Sequence, residues 1–186
     1  MSDVQLVWPN KHRTLRASGR MGYEWLDPND ARLGKALKLA NLTAGRLDCT
    51  SNVLAVGDGL DALEALATQT TVLSGGIRLV YIDPPFATKR DFAANDQEKA
   101  YQDRVIGSEF LEFLRRRLIM IRELLTDDGV LFVHTDWKKG HYVKILLDEV
   151  MGESRFRNEI VWWYYNKMQG YIGRFPSNHY CIYFYS

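Results

Sequence analysis

Ile77-Arg78-Leu79-Val80-Tyr81-Ile82-Asp83-Pro84-Pro85-Phe86 is the stretch on which the fold turns. Its first six residues form a short apolar run, broken only by Arg78, of the kind that makes a buried β-strand. Two consecutive prolines then stop the strand, because neither offers an N–H to a neighbour and both fix φ. The result is a rigid corner holding the Asp83 carboxylate and nearby backbone carbonyls as fixed acceptors, with the Phe86 ring beside them. An isolated Asp-Pro-Pro reads equally as a plain turn with a buried Phe. Here a polar stretch without period follows, from Ala87 to Ser108, and so long a loop in a compact domain is either functional or mobile.

Outward from that corner the pattern is regular. Upstream, Asn52 to Val56 has the look of another short buried strand, closed by Gly57-Asp58-Gly59. Leu60, Leu63, Leu66 and Ala67 then recur at helical spacing, which predicts a helix over Leu60–Thr70. Downstream, Phe110, Phe113, Leu114, Ile121, Leu124 and Leu125 mark one face of a helix over Glu109–Leu125, with Leu118 between them. Asp127-Asp128-Gly129 stops it, Val130–His134 is a strand, and Asp136 can cap a helix running to about Met151. Ile160–Tyr165 and Tyr180–Tyr185 read as two further strands. Strands alternating with helices predict an α/β fold, a mostly parallel sheet with helices on both faces. Ligands in such sheets sit beyond the C-terminal strand ends, which puts Asp58, Asp83 and the His134–Asp136 turn along one rim. Residues 1–50 are polar and basic and read as an extension around a core beginning near Ser51. Within them, Ala31–Leu42 is weakly amphipathic.

A chain of 186 residues has room for one domain, and 46% hydrophobic with 25% charged residues rules out disorder throughout. No run approaches the ~18 apolar residues of a membrane span, and the N-terminus lacks the basic start and apolar core of a secretory signal. Cys49 and Cys181, with histidines at 12, 134, 141 and 179, give neither a disulfide framework nor zinc-ligand spacing. A reducing compartment, the cytoplasm, is the expectation. Residues 1–48 hold eight Lys/Arg against five Asp/Glu, residues 49–150 twelve against sixteen, and residues 151–186 four against two. That is not the footprint of a protein held on nucleic acid by charge alone.

Asp83-Pro84-Pro85-Phe86 resembles the [DNS]-P-P-[YF] motif of methyltransferases that alkylate exocyclic amines of DNA bases. Further blocks match in order: Gly57-Asp58-Gly59-Leu60-Asp61-Ala62-Leu63 before the strand, Val130 to Trp137 after the long helix, and Leu146–Gly152 leading to Phe156–Ile160. Over residues 51–186 the chain looks most like β-class enzymes, in particular the modification subunits of type III restriction systems. The resemblance implies a Rossmann-like S-adenosylmethionine-dependent fold, and an N6-adenine DNA methyltransferase as the activity. It implies S-adenosylmethionine as cofactor, double-stranded DNA as substrate, and a restriction subunit and a second copy of the chain as partners. No metal is implied.

The chemistry fits these residues. The amine of adenine is a poor nucleophile because its lone pair is conjugated into the ring. The Asp83 carboxylate and the Pro84 carbonyl can accept from both N–H groups and favour a pyramidal nitrogen, and the work left is alignment. The target is reached only when the base is flipped out, and Phe86 is placed to stack on it. Neither cysteine follows a proline, as the nucleophile of a cytosine-C5 methyltransferase does, so that class is excluded. Asp83, Pro84, Pro85 and Phe86 are therefore the expected catalytic set. Asp58, His134 and Asp136 are the expected cofactor residues. For Asp58 a helix N-cap is an equal reading, and for the other two a capping Asp and a structural His. Gly57-Asp58-Gly59 lacks the third glycine of a dinucleotide loop. One ring of Trp162-Trp163-Tyr164-Tyr165, taken as Tyr164, is expected against the base. Lys89 and Arg90 are the expected phosphate contacts, and Arg115-Arg116-Arg117 reads as a solvated helix face. Lys138-Lys139 at a helix start are unfavourable for its dipole and hint at a phosphate.

The β-class F-x-G-x-G segment is not found, so the expectation is a partial catalytic domain whose target-recognition and cofactor-gripping part lies outside residues 51–186. Cytosine N4 is the alternative target, because Asp-Pro-Pro serves both amines. A remnant that binds DNA without transferring methyl groups is the alternative class.

Overall fold

The computed structural model describes residues 5–18, 22–33, 52, 54–68, 75–86, 91–94, 98–102, 107–165, 173 and 175–186, with backbone alone for 91–94 and 98–102. In chain order the elements are β1 (Thr14–Ser18), β2 (Gly22–Leu26), α1 (Gly59–Thr68), β3 (Ile77–Ile82), β4 (Asp91–Ala94) and β5 (Glu98–Gln102). They continue with α2 (Gly107–Leu124), β6 (Leu125–Asp136), α3 (Gly140–Met151), a 3₁₀ turn (Glu153–Arg155), β7 (Phe156–Trp163) and β8 (His179–Tyr185).

The main sheet has the order β3-β6-β8-β7. The β3–β6 pair is parallel, whereas β6–β8 and β8–β7 are antiparallel. The sheet is therefore mixed, which corrects the expected mostly parallel arrangement. The reason lies in the connections. The long helix α2 carries the chain from β3 back over the sheet to β6, as a parallel pair requires, but no helix stands among the described residues between β7 and β8.

Burial along β6 alternates, with Leu131, Val133 and Thr135 inside. Leu131 and Val133 meet Phe110, Leu114 and Leu118 of α2, Leu146 and Leu147 of α3, and Tyr183 and Tyr185 of β8 in one continuous core. This single helical layer covers one sheet face. On the other face Leu79, Tyr81, Ile160 and Trp162 are exposed, so the expected second helical layer is not seen among the described residues. β3 and β6 approach closely where they start. A Cβ added to Gly129 would stand 2.9 Å from the Thr126 carbonyl oxygen and 3.0 Å from that of Ile77, both backbone atoms that cannot swing aside. Gly129→Ala should therefore destabilise the fold by about 1–3 kcal/mol, an overpacking cost measurable as a lowered denaturant midpoint.

Three further expectations change. Leu54 and Val56 are exposed, and the described part of the run 52–56 forms no strand. Apolarity makes a segment fit for a strand, but pairing needs a free neighbour in register. The stretch after the proline corner contains the antiparallel hairpin β4–β5, hidden in the sequence because its strands are only four and five residues long. The N-terminal region is more than a wrap: β1 and β2 pair in register from Thr14↔Leu26 to Ser18↔Gly22. Trp8 and Leu15 enter the core, and Arg16 pairs with Asp61 and Glu64 of α1 at 2.7 and 2.6 Å. Of the amphipathic stretch 31–42, Ala31–Leu33 form a turn and the rest lies outside the described residues.

Cys181, central in β8, is buried, and burial pushes its thiol up to about 12, with Glu159 adding to the rise. The reactive thiolate is thus suppressed at ordinary pH. Alkylation at pH 8 followed by peptide mass analysis should leave Cys181 unmodified in the native protein and modify it once urea unfolds the chain.

Candidate active site

The parallel register pairs Ile82 of β3 with Val133 of β6, so the next residues of the two strands, Asp83 and His134, stand side by side at the C-terminal rim. The two prolines free the Asp83 backbone from the ladder, and its side chain is 57% exposed. His134 Nδ1 lies 3.4 Å from Asp83 Oδ1, and the imidazole is only 15% exposed. Its Nε2 is buried, with no partner among the described residues.

Rings gather around that pair. Phe86 meets His134 edge-on at 5.8 Å and lies parallel to Tyr180 at 5.9 Å. Tyr180 in turn meets His134 edge-on at 4.9 Å and Tyr164 at 5.1 Å. Trp162 is stacked on His134 at 6.2 Å. The register explains the grouping, since Tyr180 stands opposite Asp136 on one side and Trp162 on the other. The structure thus brings together Asp83, Phe86, His134 and Tyr164 of the expected residues, with Pro84 and Pro85 making the corner. Tyr180 and Trp162 complete the cluster. Trp162 was one of four rings with no basis for choosing among them, and Tyr180 was read only as a strand start. Alternation along β8 puts Tyr180 on the same face as Ile182 and Phe184, but the face matters only once β8 is known to lie beside β6.

Asp136 is buried at the end of β6 and accepts from the Lys139 N–H at 2.9 Å through Oδ1. It closes the turn before α3 and does not cap the helix itself, which starts at Gly140. Burial pushes its carboxyl up, and the amide and ammonium groups of Lys138 and Lys139 pull it part of the way back. Lys138 and Lys139 themselves sit over the rings of Trp137 and Tyr142.

Asp58 is used differently. Its Oδ1 accepts from the Leu60 N–H at 2.9 Å, the N-cap contact, and both oxygens receive Arg117 Nη2 at 2.9 and 2.8 Å. Tyr23 donates its hydroxyl to Oδ2 at 3.2 Å. A carboxylate has about four lone-pair sites, and in this structure they are met from within the protein, by Leu60, Tyr23 and Arg117. Arg117 lies flat on Phe113, 3.4 Å from the ring centre. This overturns the reading of Arg115–Arg117 as a solvated face. Arg117 and Arg115 are 12% and 18% exposed, and Arg115 pairs with the fully buried Glu112 at 2.8 Å. Three arginines in sequence must point three ways around a helix, and in α2 that helix is covered on most of its circumference. Lys89 and Arg90 lie outside the described residues.

A concavity of about 420 Å³ lies at the other end of the sheet, where Arg122, Leu125, Asp148, Gly152 and Arg155 contribute to its wall. Among the described residues no group of His, Cys, Asp and Glu is placed to hold a metal, and no helix is long and apolar enough to cross a membrane.

The family model described as DNA methylase, of the N6/N4 type, matches residues 77–186. Over 83 residues, 45% of this chain, it is 46% identical to the type II methyltransferase M.EcaI of Enterobacter cloacae. It is 39% identical over 58% of the chain to a probable type III restriction-modification enzyme HindVI Mod subunit of Haemophilus influenzae. It is 32% identical over 67% of the chain to the type II methyltransferase M.KpnI of Klebsiella pneumoniae. The chain spans 18%, 13% and 29% of the lengths of these three relatives. With the proline corner at a strand end, the rim of rings around it and a match across the whole main sheet, the chain belongs to the N6/N4 DNA methylase family.

Proposed function

We propose that this chain carries the catalytic corner of a DNA methyltransferase that modifies N6 of adenine. The observation that carries the reading is Asp83, its backbone fixed by Pro84 and Pro85 and its carboxylate open to solvent beside Phe86. An exocyclic amine placed there can donate one N–H to the carboxylate and the other to the Pro84 carbonyl. Its lone pair then leaves the plane of the base and faces the incoming methyl group. S-adenosylmethionine supplies that methyl as an activated sulfonium, so the chain's own task is to orient the amine and exclude other geometries. Phe86 and Tyr164, joined through Tyr180, offer rings on which a base turned out of the duplex can stack. Of the expected cofactor residues, Asp136 stands at this rim, His134 lies beside the Asp83 carboxylate, and Asp58 is paired with Arg117. DNA, a restriction subunit and a second copy of the chain are the partners that the likeness to type III Mod subunits suggests.

Cytosine N4 presents the same two N–H groups and conjugated lone pair, and would meet the same acceptors. The test expresses the intact reading frame in a host without DNA methylases and reads the nucleosides of its genomic DNA by mass. N6-methyladenine is the expected product. N4-methylcytosine in its place moves the target to cytosine, and neither product from a folded protein overturns the reading.

A further inference from the structure

We propose that His134 is a positioning residue, whose Nδ1–H turns the Asp83 carboxylate so that Oδ2 stays open to the substrate amine. The proposal rests on Asp83 being the acceptor for that amine. The two prolines fix the backbone at Asp83 but not its side-chain torsions, and a carboxylate more than half exposed would otherwise rotate freely. Among the described residues His134 is the side chain within ion-pair reach of it, with Nδ1 3.4 Å from Oδ1. The neighbouring strands β3 and β6 make this meeting obligatory, because Ile82 and Val133 are partners in register.

The imidazole is itself held. Phe86 and Tyr180 meet it edge-on, at 79° and 90°, and Trp162 lies nearly parallel to it, at 21°. Its plane is therefore set by three rings from three different segments. The proton's place follows from the other nitrogen. Nε2 is buried and has no partner among the described residues, and a buried N–H without an acceptor is rarer and costlier than a bare lone pair. Nε2 is thus the bare nitrogen, the proton is on Nδ1, and it faces Asp83.

Two readouts test this. In the ¹⁵N-labelled chain, long-range proton–nitrogen correlation, with His134→Asn identifying the signals, should show Nδ1 protonated and Nε2 bare. Asp83→Ala should shift the Nδ1 resonance. Protonation at Nε2 instead, or an Nδ1 signal indifferent to Asp83→Ala, overturns the proposal. In the intact enzyme His134→Asn, whose amide N–H₂ can take the place of Nδ1–H, should keep kcat within about threefold. His134→Gln and His134→Ala should lose at least about tenfold in kcat with KM for S-adenosylmethionine unchanged. Equal losses in all three variants, or a loss confined to KM, also overturn it. An enzyme that transfers no methyl group would sink the proposed function and leave the nitrogen signals to decide the positioning on their own.

Discussion

Asp83→Ala is expected to slow methyl transfer by about 10²–10³-fold, or roughly 3–4 kcal/mol of transition-state stabilisation, the scale seen when one preorganised polar group at a reacting centre is removed. The loss should be in kcat, because the carboxylate acts on the amine as its lone pair comes out of conjugation, and less on the resting base. Stability should stay within about 0.5 kcal/mol of the parent, since the side chain is 57% exposed and its ion pair among the described residues is with His134 alone. Asp83→Asn keeps a carbonyl acceptor and should lose less than Asp83→Ala. Initial rates with tritiated S-adenosylmethionine, beside urea melts of each variant, check both halves. A variant that transfers at the parental rate would remove Asp83 from the mechanism.

Asp58→Ala and Arg117→Ala should each cost about 3–5 kcal/mol of stability, because either change leaves a buried charge without its partner. The two side chains are 16% and 12% exposed and joined through two short contacts. Asp58 has the larger expected loss, since it also caps α1. Burial lowers the Arg117 guanidinium, and Asp58 opposes that effect ahead of Tyr23 and Asp61, so without Asp58 the foremost support of the charge is gone. A double variant, Asp58→Ser with Arg117→Met, retains a cap and removes both charges, and should recover much of the loss. Urea midpoints for the parent, Asp58→Ser, Arg117→Met and the double variant give the coupling directly. A strong loss in both single variants has a practical result: Asp58→Ala could not serve as a clean probe of cofactor binding, because weak binding would follow from unfolding alone.

Much of the site was legible because its signals are local. Asp83-Pro84-Pro85-Phe86 needs only the behaviour of proline after an apolar run, and β3 has the same limits, Ile77–Ile82, in sequence and structure. The helices α2 and α3 announce themselves through inward residues at helical spacing, among them Leu114, Leu118, Val143 and Leu147. What could not be read is whatever depends on neighbours. Alternation in Tyr180–Tyr185 marks a strand but says nothing of its direction or its place between β6 and β7. That placement is what delivers Tyr180 and Trp162 to the site. Arg117 looked like solvent-facing charge because its partner, Asp58, is 59 residues away. The hairpin β1–β2 has strands of five residues each, too short for a period to stand out from the turns around them.

The strand order also bears on how the chain is made. On the ribosome β7 is completed before β8, yet β8 is the strand that joins β7 to β6. Until residues 179–185 have emerged, β7 is an unpaired ribbon, and Leu131 and Val133 of β6 lack their neighbours Tyr185 and Tyr183. Synthesis thus passes through a stage in which apolar surface is open to misassembly. A pause or a nick between the last two strands would be felt as aggregation, before any loss of chemistry at Asp83.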